Sequence, residues 1–383
     1  MKLYSNVIGR IIALMMMLSV ISSISVFAAS NDTPVVDYVD GVVLSELSLD
    51  VSKNESIGIS SKKMLTIQLT SGAEAGRQVH VINYLTNQPL FDLDPNPGDK
   101  VILAVNDVQD IKQYHVADYN RLSSTYLLLG AFALSLLVLG IKIGIKTLFV
   151  ICFSAFVILQ GMIPFVLNYH WNFILTTILV CAVIATVTQI TISGWNAKTL
   201  GAILGTVGGV MIAGMLAAVA ISWMHLTGLD SEEAMLLKVT TLSFIDFQEI
   251  LFAGIILGSL GAVMDVTISI ASTQYEIKKS CPHYGFSELF KAGINVGRDV
   301  MGTMANTLIL AYTGSSSPLL FLISSQANLS MTRVMNLNIV ATEITRALTG
   351  SIGLIFSIPL TAAITAFLLS RRPDSTVHSA NKP

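Results

Sequence analysis

A succession of long apolar stretches, beginning near residue 123, constrains this chain more than any other feature. Each stretch is close to the ~20 residues that an α-helix needs to cross the hydrocarbon core of a bilayer. The composition agrees, because 53% of the 383 residues are hydrophobic and only 12% are charged. The pattern predicts a polytopic α-helical membrane protein with seven helices, near 123–141, 147–167, 172–193, 199–223, 249–271, 299–325 and 348–369.

The first residues of the chain have the pattern of an export signal. Residues 1–29 place Lys2 and Arg10 ahead of an apolar run that ends in small residues. This segment is either a signal peptide, with Val26 and Ala28 suiting the cleavage site, or an uncleaved signal anchor. Both alternatives predict that the following residues lie outside the cytoplasm.

Residues 30–121 have the composition of a soluble domain and alternate apolar with polar side chains. The alternation is clear in MLTIQLT (64–70), RQVHVIN (77–83) and KVILAVN (100–106), and turn-forming residues separate these runs. About five strands in so short a segment predict a small β-barrel, closed or nearly closed. The segment contains no catalytic triad or metal-ligand spacing, which favours a binding or gating module over an enzyme.

The distribution of basic residues predicts the orientation of the helices. An exported N-terminal domain makes the first helix run inward, and basic residues are enriched in cytoplasmic loops. The predicted cytoplasmic segments then carry Lys142, Lys146, Lys198, Lys278, Lys279, Lys291, Arg298, Arg371, Arg372 and Lys382, and the predicted external loops carry only Lys238, Arg333 and Arg346. The sequence therefore predicts a bacterial plasma-membrane protein with a helical bundle at 122–371 and a cytoplasmic tail at 372–383.

Several shorter patterns predict how the helices pack. Gly201, Gly205, Gly209 and Ala213 recur at four-residue spacing, which is typical of close helix contact. Gln160 and Gln189 are candidates for interhelical hydrogen bonds. The stretches 273–297 and 324–348 have amphipathic character. We expect the first to lie along the membrane interface, and the second to be either an interfacial or a re-entrant helix.

Two stretches of the membrane half carry a family resemblance. LGSLGAVMDVTISIAS (257–272) and ELFKAGINVGRDVMGTMANTLILAYTGSSSPLLFL (288–322) resemble the YibE/F family of multi-pass bacterial membrane proteins. The resemblance extends more loosely to PLFDLDPNPGDKVIL (89–103) in the exported segment. It implies a multi-pass topology and an activity generally taken to be transport or efflux.

Asp265 is the clearest candidate for a functional residue. A carboxylate about two turns inside a membrane helix costs roughly 2.5 kcal/mol or more unless it is paired or faces water. Helical spacing places it on a face of small or polar residues: Gly254, Gly258, Gly261, Ser269 and Ser272. One interpretation is a cation or proton site on a transport path, and the other is a polar clamp with Asn306 and Arg298 that only fixes helix packing.

The next predicted helix carries further candidates. Asp299, Thr303 and Asn306 fall on one face, and Thr303 and Asn306 reach the depth of Asp265 if the two helices run antiparallel. Arg298 and Asp299 form either a cytoplasmic gate or, for the arginine, a topology anchor.

The run from Gly314 to Pro318 interrupts helical hydrogen bonding. The hydroxyls of Ser315, Ser316 and Ser317 are available there to coordinate a solute. A discontinuous helix of this kind is typical of transporters. The alternative is that the helix ends at Gly314 and the serines form an outer loop.

These patterns predict a transporter or efflux protein that moves an unidentified small solute or ion between the helices at 249–271 and 299–325. The alternative is a membrane scaffold or envelope-assembly protein whose exported domain binds a partner protein. We expect no enzymatic activity, cofactor or metal, because Cys281 and His283 lack a second pair of ligands. We expect no nucleic-acid partner either, because the chain contains no basic tract. The sequence does not predict an oligomeric state.

Overall fold

The computed structural model describes residues 37–49, 60–86, 92–108, 111–169, 171–240, 245–325 and 330–371. The predicted signal segment and the predicted C-terminal tail lie outside these residues. The chain divides into two compact units, one ending at Ile141 and the other beginning at Lys142. This division falls one helix later than the boundary predicted at residue 122, and the predicted domain limits stay a prediction.

The first unit contains the five predicted strands, in one antiparallel sheet ordered β3-β2-β1-β4-β5. The strands are β1 (Asp37–Leu49), β2 (Ser61–Leu69), β3 (Gln78–Leu85), β4 (Lys100–Val108) and β5 (Ile111–Tyr119). Alternate side chains point into one core, as period-two patterning requires: Val43, Leu65, Ile67, Leu69, Val79, Val81, Val101 and Leu103. Cα atoms of the edge strands β3 and β5 come within 8 Å without pairing. The sheet is therefore a half-barrel.

An ion-pair cluster tethers the turn between β2 and β3 to β5. The Glu74 carboxylate accepts hydrogen bonds from the Lys112 ammonium at 2.9 Å and from the Tyr114 hydroxyl at 3.3 Å, and it also pairs with Arg77. The hydrogen bond from Lys112, and then the one from Arg77, lower the pKa of Glu74 to about 2. The cluster thus links the two edges of the half-barrel where no strand pairing closes it.

The rest of the described chain is mostly helical. Its helices are α1 (Leu122–Leu139), α2 (Ile141–Phe156), a π-helical turn (Val157–Met162), α3 (Ile163–Tyr169), α4 (Phe173–Ser193), α5 (Ala197–Trp223), α6 (Glu232–Thr240), α7 (Phe247–Ser280), α8 (Phe286–Ser315), α9 (Ser317–Ser325), α10 (Met331–Met335) and α11 (Asn338–Ser370). Among the described residues, six helical segments are long and apolar enough to cross a membrane, and α8 with α9 is a bent pair that passes the same test together. The chain is therefore a membrane protein in which apolar helices predominate.

Several helices extend beyond the apolar stretches that predicted them. α7 has 34 residues, which corresponds to a length of about 50 Å, well beyond the ~30 Å of a hydrocarbon core. Lys142 and Lys146 lie in the first turns of α2 rather than in a loop. Hydropathy marks only the lipid-facing part of a helix, whereas backbone hydrogen bonding continues until a capping or breaking residue ends it.

The stretch 273–297 is not a separate helix, whereas the interfacial or re-entrant location predicted for 324–348 stays a prediction. Residues 273–297 form the end of α7 and the start of α8, and Leu289 there is fully buried. Most of the described part of 324–348 belongs to the short α10 and to the first turns of α11. The α7–α8 hairpin packs against protein at Leu289, and the side chain of Gln274 donates hydrogen bonds to the carbonyls of Leu289 and Ala362, both at 2.9 Å.

α11 is the central helix of the second unit and packs against α5, α7 and α8. Its closest approach is to α5, where Gly201 meets Thr365, Gly205 meets Thr361, Gly209 meets Ser357 and Ala213 meets Gly353. The predicted packing role of the small-residue ridge is thus confirmed. The predicted interhelical hydrogen bond of Gln189 is confirmed as well, because its amide donates to Thr206 at 2.7 Å.

Candidate functional site

The α7–α8 hairpin fixes the relative depth of the predicted site residues. Ile270 on α7 packs at Gly297 on α8, and the Tyr312 hydroxyl packs at Gly258. These two contacts bracket Asp265, which therefore lies at about the level of Thr303. The predicted match in depth between the two helices follows from this antiparallel pairing.

Asp265 lies on an open stripe of α7. We define the α7 stripe as Gly254, Gly258, Gly261, Asp265 and Ser269, all exposed on the second unit, whereas Ser272 is half-buried. No heavy atom lies within 4 Å of a Cβ built on Gly254 or Gly261. Within the described ranges, no side chain forms a hydrogen bond or ion pair with the Asp265 carboxylate. The described bundle thus leaves the stripe open at Gly254 and Gly261, whereas the Tyr312 hydroxyl lies over Gly258 between them.

The polar clamp considered from the sequence is not formed. Asp265, Asn306 and Arg298 are all exposed, and no hydrogen bond or ion pair joins them in the part of the chain that the structure describes. Thr303 is also exposed on α8, and its hydroxyl donates to the carbonyl of Val300 at 2.9 Å. The structure thus places Asp265 and Thr303 at a similar depth on two exposed faces, without direct bonds among Asp265, Thr303 and Asn306.

Arg298 and Asp299 lie more than three turns into α8, because the helix begins at Phe286 rather than near residue 299. Asp299 therefore lies too far from the positive end of the helix dipole to be stabilised there. Both side chains are exposed, and no ion pair involves either among the residues described. Both residues therefore lie inside α8, nearer to the α7–α8 hairpin than to the bend, and not at the end of a helix as the sequence predicted.

The Gly314–Pro318 run bends the chain by 62° between α8 and α9. Ser316 lies at the junction, where its backbone N–H donates to the carbonyl of Tyr312 at 3.1 Å. The Ser315 hydroxyl donates to the same carbonyl at 2.8 Å. Ser317 begins α9, where Pro318 costs no hydrogen bond because the first N–H groups of a helix lack intrahelical partners.

A cavity of about 700 Å³ opens at this bend, and we call it the polar chamber. Its walls come from the 228–234 segment, the first turns of α7 and α11, and the bend itself, and its charged groups are Asp230, Glu233, Glu343 and Arg346. Gly254, the first residue of the α7 stripe, also lines it. The stripe therefore begins in the polar chamber, although Asp265 and Asn306 are not part of its lining.

The charged groups of the polar chamber lie on α11 and in the 228–234 segment. The Arg346 guanidinium donates to Oε1 of Glu343 and lies 3.7 Å from the Asp230 carboxylate. Oε2 of Glu343 is buried and has no hydrogen-bond partner among the described residues. Hydrogen bonds from its own backbone N–H and from the Ser231 hydroxyl lower the pKa of Glu233, which keeps that carboxylate ionised. The chamber thus combines one guanidinium with three carboxylates.

Sequence reasoning missed Glu343 and Arg346. The available signal was their i, i+3 spacing at the start of an apolar run, where two opposite charges share a helix face. We predicted an interfacial helix at 324–348, and charged residues are expected on the polar face of such a helix. Glu343 and Arg346 were therefore not singled out as functional candidates. No group of three potential metal ligands occurs among the described residues.

Comparison with known families gives one result for the membrane half. A family model described as YibE/F-like protein matches residues 128–371, well over half of the chain. The match includes every residue of the polar chamber and of the α7 stripe. Comparison with curated proteins and with solved structures gave no significant match.

Proposed function

Because the chain belongs to the YibE/F-like protein family, we propose that it is a multi-pass transporter or efflux protein of the bacterial plasma membrane. In this proposal the six long helices and the bent α8–α9 pair make seven spans. The excess of basic residues near the α7–α8 hairpin supports a cytoplasmic location for that end and an external location for the half-barrel. Residues 1–29 would then act in export, and the protein has no enzymatic role.

The observation that carries the proposal is that Gly254 belongs both to the lining of the polar chamber and to the α7 stripe. A solute entering the chamber from outside would meet Glu343 and Ser316, and would then pass Asp265 on the open stripe. Thr303 and Asn306 supply further polar groups at that depth. A partnerless carboxylate at membrane depth is costly, and such residues commonly mark ion or proton pathways. The three carboxylates of the chamber favour a cation.

The experiment that tests this proposal is flux in vesicles containing only the purified protein. We expect uptake of at least one member of a panel of protons, inorganic cations and small organic acids, and loss of that uptake in Asp265→Asn. Glu276→Gln is the matched control, because Glu276 is exposed on the same helix near its cytoplasmic end. Equal flux in native protein and Asp265→Asn would remove Asp265 from the path.

The alternative, a scaffold that binds an envelope protein, has one supporting observation. Leu47, Met64 and Ile82 are directly opposed across β1, β2 and β3, so they form one row on the outer face of the half-barrel. Leu47 is 56% exposed and Ile82 43%, which is unusual for an apolar row without a partner. Photo-crosslinking from position 82 in cells would give an adduct with one defined envelope protein under this alternative. Flux by the purified protein alone would favour transport.

A further inference from the structure

A second cavity adjoins the polar chamber, and its walls are apolar. This apolar chamber has a volume of about 470 Å³ and lies between α8–α9 and α10–α11. Its wall includes Ile309, Leu320, Ile323, Met331, Val334 and Ile344. Both volumes are in the range of sites that hold small organic ligands.

The two chambers share part of their lining. Ser316, Leu319 and Glu343 contribute to both, so the Glu343 side chain stands where the polar and apolar spaces meet. An occupant that extended across this boundary would have one charged end and one apolar body. Neither a bare inorganic ion nor a simple hydrocarbon would use both spaces.

The charge of the polar chamber selects the sign of the charged end. Asp230, Glu233 and Glu343 oppose the single guanidinium of Arg346, which is already bonded to Glu343. An anionic head would therefore meet an excess of carboxylates. A cationic head would instead meet that excess of carboxylates, and among them Glu343 lines both chambers while its buried Oε2 lacks a partner in the described structure.

We propose that the joined chambers bind an amphiphilic organic cation, with its charge beside Glu343 and its apolar body against Leu319 and Ile323. The transport of such a cation rests on the proposed function, whereas its binding does not. Tyr312 also lines the apolar chamber, and an aromatic ring there adds attraction for a cation. The bonded Arg346 acts as an internal counter-ion until the ligand arrives.

The test is equilibrium binding of tetraphenylphosphonium to the full chain in lipid nanodiscs, with empty nanodiscs subtracted. Tetraphenylborate has nearly the same size and shape with the opposite charge, and tetramethylammonium has the charge without the apolar body. We expect saturable binding of tetraphenylphosphonium, at least about tenfold weaker binding of each of the other two probes, and competition only from other amphiphilic cations. Equal binding of the two tetraphenyl ions would overturn the proposal, and so would the absence of saturable binding.

Variants locate the site. We expect Glu343→Gln to weaken tetraphenylphosphonium binding at least about tenfold, with Glu276→Gln unchanged as the matched control. Leu319→Gln should weaken tetraphenylphosphonium binding without creating affinity for tetraphenylborate. Elution volume and thermal unfolding identify a variant that fails to fold, and the probe comparison on the native chain decides the question in that case.

Binding and flux separate the two proposals. Saturable binding without flux of any solute would leave the ligand site intact and overturn transport. Flux of inorganic cations without tetraphenylphosphonium binding would leave transport intact and overturn the ligand class.

Discussion

Two helix faces with the same spacing of small residues meet opposite surroundings in this protein. On α5, a Cβ added to Gly209 would lie 2.6 Å from Cβ of Ser357 and 3.2 Å from the carbonyl oxygen of Gly353. On α7, nothing lies within 4 Å of a Cβ added to Gly254 or Gly261. Small-residue spacing thus marks close helix contact in one case and an open polar face in the other. The difference lies in the opposing helix and cannot be read from either face alone.

The largest expected effect comes from enlarging one glycine on each face. A Cβ at Gly205 would lie 2.8 Å from Cβ and 3.1 Å from Cα of Thr361, so a larger side chain must push the backbone of α11 away. We expect Gly205→Leu to lower the free energy of unfolding by about 3 kcal/mol. Gly261→Leu should not lower it, because the added side chain meets no neighbour and leucine favours the helix more than glycine does.

Thermal and denaturant unfolding in the same bicelles measures both glycine variants. Similar losses in Gly205→Leu and Gly261→Leu would contradict the comparison, because the α7 stripe would then be packed as tightly as the α5 ridge.

Cysteine labelling sharpens the same contrast with nearly isosteric substitutions. Ser357 is fully buried on α11 and Ser269 is exposed on the α7 stripe. In a background without Cys152, Cys181 and Cys281, we expect Ser269→Cys to react with a membrane-impermeant thiol reagent about 100-fold faster than Ser357→Cys, a ratio equivalent to about 2.8 kcal/mol.

The reagent's polarity distinguishes water from lipid at the stripe. Reaction of Ser269→Cys with a charged reagent supports an aqueous path. Reaction only with an apolar maleimide would place the stripe against lipid and remove it from the proposed path.

The sequence predicted what depends on local periodicity and missed what depends on distant segments. The half-barrel strands and the apolar helices follow from periods of 2 and 3.6 residues, and the side-chain types of Asp265 and Ser316 already pointed to polar chemistry. The polar chamber joins Asp230, Gly254, Ser316 and Glu343, which four separate segments contribute. No pattern along one segment reports that convergence.

The start of α11 was mispredicted for a related reason. The predicted helix began near residue 348, whereas α11 begins at Asn338. Ala341, Thr342 and Thr345 in its first turns are buried, and burial by neighbouring segments is not visible in the pattern of one helix.

Two polar side chains provide a smaller contrast between partnered and partnerless groups. Gln189 donates to Thr206 at 2.7 Å, and Thr206 is 2.7 Å from the Thr267 hydroxyl, so one network joins α4, α5 and α7. We expect Gln189→Leu to lower the free energy of unfolding by about 1 kcal/mol, the usual range for such bonds between membrane helices. Asp265→Asn should shift it by less than about 0.5 kcal/mol, because no bond to a described residue is lost.

Unfolding of Gln189→Leu and Asp265→Asn under identical conditions checks this expectation. A large loss in Asp265→Asn would mean that its carboxylate has a partner in the membrane that supports the fold. The proposed path would then lose its central residue.

A small gain in stability, rather than a loss, is expected at Gly261. An alanine there meets no neighbour, and replacing glycine inside a helix favours the helical state by up to about 1 kcal/mol. We therefore expect Gly261→Ala to raise the free energy of unfolding slightly and to leave the elution volume unchanged. Gly205→Ala should instead lower the free energy of unfolding. Loss of stability in Gly261→Ala, together with a smaller assembly, would show that a second chain covers the α7 stripe. Both glycine faces would then serve packing, one within the chain and one between chains, and Asp265 would belong to an interface.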